Sequence, residues 1–214
     1  MANKLSKHHF WQWFLRHNKE YMEFTKKSKK ELKYWMNELT AHLRAYFKFL
    51  HFSIYVRKEG EAVLTISVSG NARYFKYVDK IVGIAPEIPG WTVQALEAPR
   101  PIDFFWEEEM GHTGIDPHEL RCTIPDGDHL PDIVVYHSLY TEAKQWNFIH
   151  AAETAIYNVL GERSFGLDIG TITVGNLSSA PDNAELIKLE DLPAYLPPSP
   201  SGLVVDASGQ IWER

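Results

Sequence analysis

One cysteine, Cys122, stands alone in 214 residues, so no disulfide can form within the chain. A lone thiol fits a reducing compartment and excludes the small, disulfide-stapled secreted scaffolds. No stretch of about 18 apolar residues occurs, so a membrane-spanning helix is not expected. The start, Met-Ala-Asn-Lys-Leu-Ser-Lys-His-His, lacks the apolar run of a signal peptide. Phosphate-binding glycine signatures are missing as well: there is no P-loop and no Rossmann fingerprint. Neither G-x-S-x-G nor H-E-x-x-H appears. These absences point to a cytoplasmic protein with no membrane partner, and nothing in the sequence calls for a cofactor or a resident metal.

Positive charge is scarce beyond residue 50. Residues 1–50 carry 11 Lys/Arg and 4 Asp/Glu, while 51–214 carry 11 and 24, for a net charge of −6. A basic segment docked on an acidic body accounts for this split, and a phosphate-binding patch is the functional counterpart. The apolar fraction of 44% supports a large core, and aromatic residues are abundant, with 7 Trp, 10 Tyr and 11 Phe.

Helical periodicity opens the chain. Phe10, Trp13, Phe14, His17, Tyr21 and Phe24 mark one stripe over 7–24, and Trp11, Leu15 and Met22 form a second. Ser28 and Glu31 form an S-x-x-E capping box that predicts a second helix, with Leu32, Trp35, Leu39, Leu43, Tyr46, Phe47 and Leu50 on its stripe. The period then drops to two. Phe52, Ile54 and Val56 pair with Leu64, Ile66 and Val68 as a hairpin. A third helix carries Phe75, Val78, Ile81, Val82 and Ala85, and Trp91, Val93 and Ala95 open the next strand. Phe104–Trp106, Arg121–Ile124 and Ile133–His137 are short strand candidates. A fourth helix is expected over about 141–160 with Trp146, Ile149, Ala152, Ile156 and Leu160 inward, followed by a strand at Leu167–Val174. Pro197-Pro198-Ser199-Pro200 reads as a linker, and Val204–Trp212 as a terminal hairpin.

The order strand-strand-helix-strand at 51–98 recurs over 119–175. It favours an α+β fold with a mainly antiparallel sheet and helices on one face, preceded by an N-terminal helical hairpin. One domain over 1–196 is expected: 1–50 as the hairpin, 51–175 as sheet and helices, and 197–214 as a C-terminal tail.

Two segments resemble a family of uncharacterised bacterial proteins. One is Phe10-Trp11-x-Trp13-Phe14-x-x-x-Asn18. The other is Gly70-x-x-x-x-Phe75-x-x-Val78-x-x-Ile81-Val82-x-x-Ala85-Pro86-x-x-x-Gly90-Trp91. Ala95-Leu96-Glu97-Ala98-Pro99 departs from the family's usual continuation. The resemblance implies a fold and a cytoplasmic setting and brings no activity with it.

Candidate sites are few. Asp168-Ile169-Gly170-Thr171 matches a D-x-G-T phosphate turn, yet a buried strand with Gly at a bulge explains it better. His112, Asp116, His118, Glu119, Cys122, Asp126, Asp128, His129, Asp132 and His137 have metal-ligand chemistry without ligand spacing. Asp116-Pro117-His118-Glu119 suits an N-cap and a first-turn proline. His150 and Glu153, three apart, could make a carboxylate-polarised general base or simply bond on a helix shoulder. The polar sheet face is the favoured binding surface: Ser53, Tyr55, Thr65, Ser67, Thr92, Gln94, Thr171 and Thr173.

The leading expectation is a non-catalytic binding or interaction protein of the bacterial cytoplasm. A small metal-dependent hydrolase using 112–137 is the alternative. Nucleic-acid binding through the Lys26–Lys30 loop is a second one. The surplus stripe on the first helix suggests a homodimer, or a docking place for Leu186, Leu189, Leu192 and Tyr195.

Overall fold

Each half of the chain builds a small sheet in the same way. The computed structural model describes residues 6–57, 60–127, 130–196, 203–205 and 211–213. It has two compact units, Met1–Glu97 and Ala98–Arg214. No helix among the described residues is long and apolar enough to cross a membrane.

The first unit begins with α1 (Lys7–Met22) and α2 (Lys29–Tyr46). The capping box forms at the start of α2. Glu31 N–H donates to Ser28 Oγ at 3.3 Å, and Ser28 N–H donates to Glu31 Oε2 at 3.0 Å. The two helices pack through aromatic side chains. Tyr21, fully buried, donates its hydroxyl to Trp35 O at 2.8 Å. Trp13 stacks on His42 at 4.1 Å. Trp35 itself is only half-buried, so its indole is less central than its place on the stripe implies. The second stripe of α1 is only partly covered within this unit: Leu15 stays 44% exposed. Trp11 is buried and donates Nε1–H to Ile81 O at 2.8 Å, and the Met22 methyl lies against Gly90. Leu189 and Leu192 are buried in the core of the second unit.

The sheet of this unit has the order β1-β2-β3, from β1 (His51–Val56), β2 (Ala62–Ser67) and β3 (Trp91–Ala95). β1 and β2 are antiparallel, but β3 runs parallel to β2. The helix α3 (Phe75–Val82) between them carries the chain back, as a parallel pair requires. The sheet is therefore mixed, which corrects the mainly antiparallel expectation. Leu64, Ile66, Phe75, Val78 and Ile81 are all fully buried in this unit.

The second unit repeats this order. β4 (Arg121–Thr123) pairs antiparallel with β5 (Ile133–His137), and β6 (Ile172–Asn176) pairs parallel with β5 after a long helix. β7 (Ile187–Lys188) adds an antiparallel edge, giving β6-β5-β4-β7. Phe104–Trp106 is not a strand. Phe105 takes left-handed backbone angles and leads into the short helix α4 (Trp106–Glu109). A second short helix, α6 (Leu192–Tyr195), follows β7. Leu203–Val205 (β8) and Ile211–Glu213 (β9) pair as the terminal hairpin. The linker reading of Pro197–Pro200 lies outside the described residues.

The long helix α5 (Gln145–Leu167) shows where periodicity misleads. Phe148, Ala151, Ala152, Ala155 and Ile156 pack under the sheet, while Trp146 is 81% exposed. Gly161 breaks the helical path at φ 72, ψ 166, and the helix then continues to Leu167, where a strand was expected to begin. Only glycine holds such a backbone comfortably. A Cβ at Gly161 would also lie 2.7 Å from Pro99 N and 3.0 Å from Ala98 C.

Two predictions come from this packing. Gly161→Ala should destabilise the chain by about 2–4 kcal/mol, because angle and clash act together. Urea unfolding measures it, and a loss below about 0.5 kcal/mol would show that the crossing relaxes freely. The second concerns His42, whose imidazole burial pushes below the usual histidine range. Glu38 opposes this, while His9 and His17 add to it. The unfolded chain then binds a proton first, so stability should fall as pH drops below about 6.5 and level off below the depressed folded value. Unfolding titrations of wild type and His42→Gln should differ in slope within that window; equal slopes would remove His42 as the cause.

Candidate functional site

The eight polar residues are divided between the two units, six in the first and two in the second. Ser53, Thr65 and Gln94 stand in a row across the first sheet, with Tyr55 and Thr92 flanking Val63, and Ser67 opposite His51. Three of these six side chains are hydrogen-bonded. Ser53 Oγ donates to Glu97 Oε1 at 2.8 Å, Gln94 Nε2 to Leu96 O at 3.2 Å, and Ser67 Oγ accepts from Ser69 N at 3.0 Å. Thr65 and Ser67 are each only 5% exposed. Thr173 lies in the other sheet, beside Val134 and then Thr123. Each third strand pairs with the second strand of its own half, so each sheet closes within its own unit.

Thr171 precedes β6 and is occupied. Its N–H and Oγ1 both donate to Asp132 Oδ1, at 2.6 and 2.7 Å. A Cβ at Gly170 would collide with that same carboxylate. The D-x-G-T turn is thus held by Asp132, whose carboxylate takes both Thr171 donors.

The metal-type residues of 112–137 scatter. His112 and Asp126 are exposed, Asp116 Oδ1 accepts from His118 N–H at 2.9 Å, and Asp128 and His129 lie outside the described residues. His137 is 2% exposed. Its Nδ1 accepts from Leu139 N–H at 3.0 Å, so the ring proton sits on Nε2, 3.3 Å from Glu119 Oε2. Among the described residues no three His, Cys, Asp or Glu converge as metal ligands. His150 and Glu153 stand exposed on α5 with no bond between them.

What the fold does assemble is a cleft around His118. The turn Pro117–Glu119 is capped by Asp116, and Arg121 Nη1 donates to His118 O at 2.8 Å. This aims the imidazole between two carboxylates, with Nδ1 3.2 Å from Glu190 Oε2 and Nε2 4.0 Å from Asp103 Oδ2. His118 and Asp103 are shared walls of two adjoining cavities. One, of about 440 Å³, is completed by Trp106, Glu107, Gly111, Gly114, Ile115, Asp116 and Pro117. The other, of about 260 Å³, is completed by Arg100, Pro101, Ile102, Val159 and Glu190. Trp106 anchors the first by donating Nε1–H to Ile115 O at 2.8 Å.

Asn158 positions the wall that carries Asp103. The side chain is 1% exposed on α5. Its amide donates to Ile102 O at 3.1 Å and Phe104 O at 3.2 Å, and its Oδ1 accepts from Arg100 Nε at 2.8 Å. Arg100 N–H donates to Asn158 O at 2.8 Å, a carbonyl that the kink at Gly161 releases from the helix ladder. The Arg100 guanidinium sits 4.5 Å above the Phe104 ring.

Sequence reasoning missed Asp103, Glu107, Arg100, Asn158 and Glu190. Asn158 left a trace, as a polar residue amid Ala155, Ile156, Val159 and Leu160. Glu190 left none, being 72 residues from His118. The lining of the two cavities contains no hydroxyl and no thiol side chain. Cys122 is fully enclosed, and burial pushes its thiol up to about 12. Comparison of the chain with protein families, with characterised proteins and with solved structures finds no match.

Cys122 should therefore resist a thiol reagent in the folded protein and react fully on denaturation. Rapid stoichiometric labelling of the native chain would contradict the buried placement.

Proposed function

We propose that this chain is a non-catalytic interaction protein whose second unit recognises a cationic group through the cleft around His118. One observation carries the reading: two adjoining cavities are walled by Asp103, Glu107, Asp116, Glu190 and His118 and offer no nucleophilic hydroxyl or thiol. The setting agrees with it. Residues 98–214 hold 19 Asp/Glu against 6 Lys/Arg, whereas 1–97 hold 9 against 16. The cations at the cleft are already engaged, Arg100 on Asn158, Arg121 on backbone carbonyls and Lys188 with Glu190 at 3.5 Å. A guanidinium or ammonium from a partner would meet carboxylates at the mouth and the Trp106 indole behind them, a favourable pairing for a cation.

The same reading includes a bacterial, cytoplasmic setting, kinship with the family that shares the Phe-Trp-x-Trp-Phe and Pro-Gly-Trp segments, and an N-terminal helical hairpin as scaffold. Of the lysine loop, Lys26 and Lys27 already pair with Glu23 at 3.0 Å and Glu20 at 2.5 Å, which lowers the charge on offer to a phosphate backbone.

A hydrolytic reading rests on the His118–Glu190 contact, since a carboxylate that orients an imidazole can prepare it as a base for water. Calorimetric titration with a ten-residue lysine peptide and a ten-residue glutamate peptide separates these readings. Only the lysine peptide should bind. Its affinity should fall with added salt and by at least about tenfold in Asp103→Asn/Glu107→Gln, the range for losing charge pairs at an interface. Equal binding of both peptides, or unchanged affinity in the double variant, would remove the cleft as the recognition site. Ester or phosphoester turnover abolished by His118→Gln would establish the hydrolase instead.

A further inference from the structure

We infer that β1 is a pairing edge, and that it joins a second copy of this chain so that two three-stranded sheets become one of six. β1 borders the first sheet, and its unbroken register with β2 shows no bulge. Hydrogen-bond phase follows from the end of the hairpin. Arg57 N–H donates to Glu61 O at 2.7 Å, so residues 51, 53, 55 and 57 bond inward to β2. Leu96 N–H donating to Ile66 O, and Ala62 N–H to Gly90 O, on the far side of β2 agree with this phase. The N–H and C=O groups of Phe52, Ile54 and Val56 therefore aim out of the sheet. Among the described residues nothing takes these six groups.

Natural sheets guard such an edge with lysine, proline, an inward charge or a bulge. The strand His51-Phe52-Ser53-Ile54-Tyr55-Val56 has none of these. Instead it is self-complementary. An antiparallel two-fold through Ile54 sets Ile54 against Ile54 of the second copy and Phe52 against Val56 in both directions. All six outward groups of each strand are then bonded, and the apolar face gains β-branched and aromatic cross-strand pairs. On the opposite face Ser53 meets Tyr55, whose ring is 64% exposed in the single chain. At each end His51 meets Arg57, whose charge Glu61 offsets at 3.4 Å. The argument rests on backbone phase and side-chain symmetry, so it is independent of the cleft in the second unit.

Light scattering over protein concentrations from about 1 to 100 µM, paired with amide hydrogen exchange, tests the edge. A dimer is expected, with the amides of Phe52, Ile54 and Val56 protected more strongly as concentration rises. Ile54→Pro deletes only an outward N–H and is tolerated on an edge strand, so it should keep the circular dichroism of the wild type. It should weaken dimerisation by at least about a hundredfold, since the ring blocks the seam at its axis. A monomer across the whole range overturns the proposal. So does a dimer that survives Ile54→Pro with its dichroism intact. Exchange at these three amides that is fast at every concentration overturns it even if the proline variant fails to fold. Concentration-independent protection supplied by a co-purified polypeptide would also overturn it, by giving the edge to another chain.

Discussion

Asn158 is the residue on which the cleft of the second unit depends. Its carboxamide is buried in the apolar packing of α5, where an unpaired amide would be costly, so its bonds must be made. They are made to the segment 100–104, and Asp103 is carried on that segment between Ile102 and Phe104. The kink at Gly161 belongs to the same device. It frees the Asn158 carbonyl for Arg100 N–H and leaves room for the backbone at Ala98 and Pro99 to pass. A helix defect and a buried polar side chain together place one wall of the cavity. Glu190 and Asp116 then set His118 on the other.

Charge is divided between the two units more sharply than the net figure of −6 suggests. An acidic unit with few cations leaves the field of its carboxylates largely uncancelled, which raises the local concentration of cationic partners. The first unit has the opposite balance and a different polar surface. Ser53, Ser67 and Gln94 bond to Glu97 and to neighbouring backbone, while Tyr55 stays 64% exposed. An open polar face read from alternation alone overstates what is free to bind.

The repeated strand-strand-helix-strand order explains both what was legible and what was not. Alternation marked β1, β2 and β3, and helical spacing marked α1, α2, α3 and most of α5, because these signals depend only on neighbours along the chain. The Ser28–Glu31 box was legible for the same reason. Strand direction was not, since it depends on which end of a sheet the crossover helix returns to, and α3 and α5 both return the chain to run parallel. Nor was the fate of Trp146, whose position on the helix stripe matched Ile149 and Ile156 yet which is 81% exposed.

Sequence alone determined the α+β class, the capped start of α2, and the hairpin of β1 and β2. These rest on local periodicity and capping, which short-range sterics and hydrogen bonding dictate. Tertiary structure decided the rest. It divided the polar sheet residues between two sheets, closed Asp132 onto Thr171, and brought Glu190 to His118 across 72 residues. Such meetings depend on how packed elements sit in space, and no pattern along the chain encodes the distance between two side chains that only the completed core brings together.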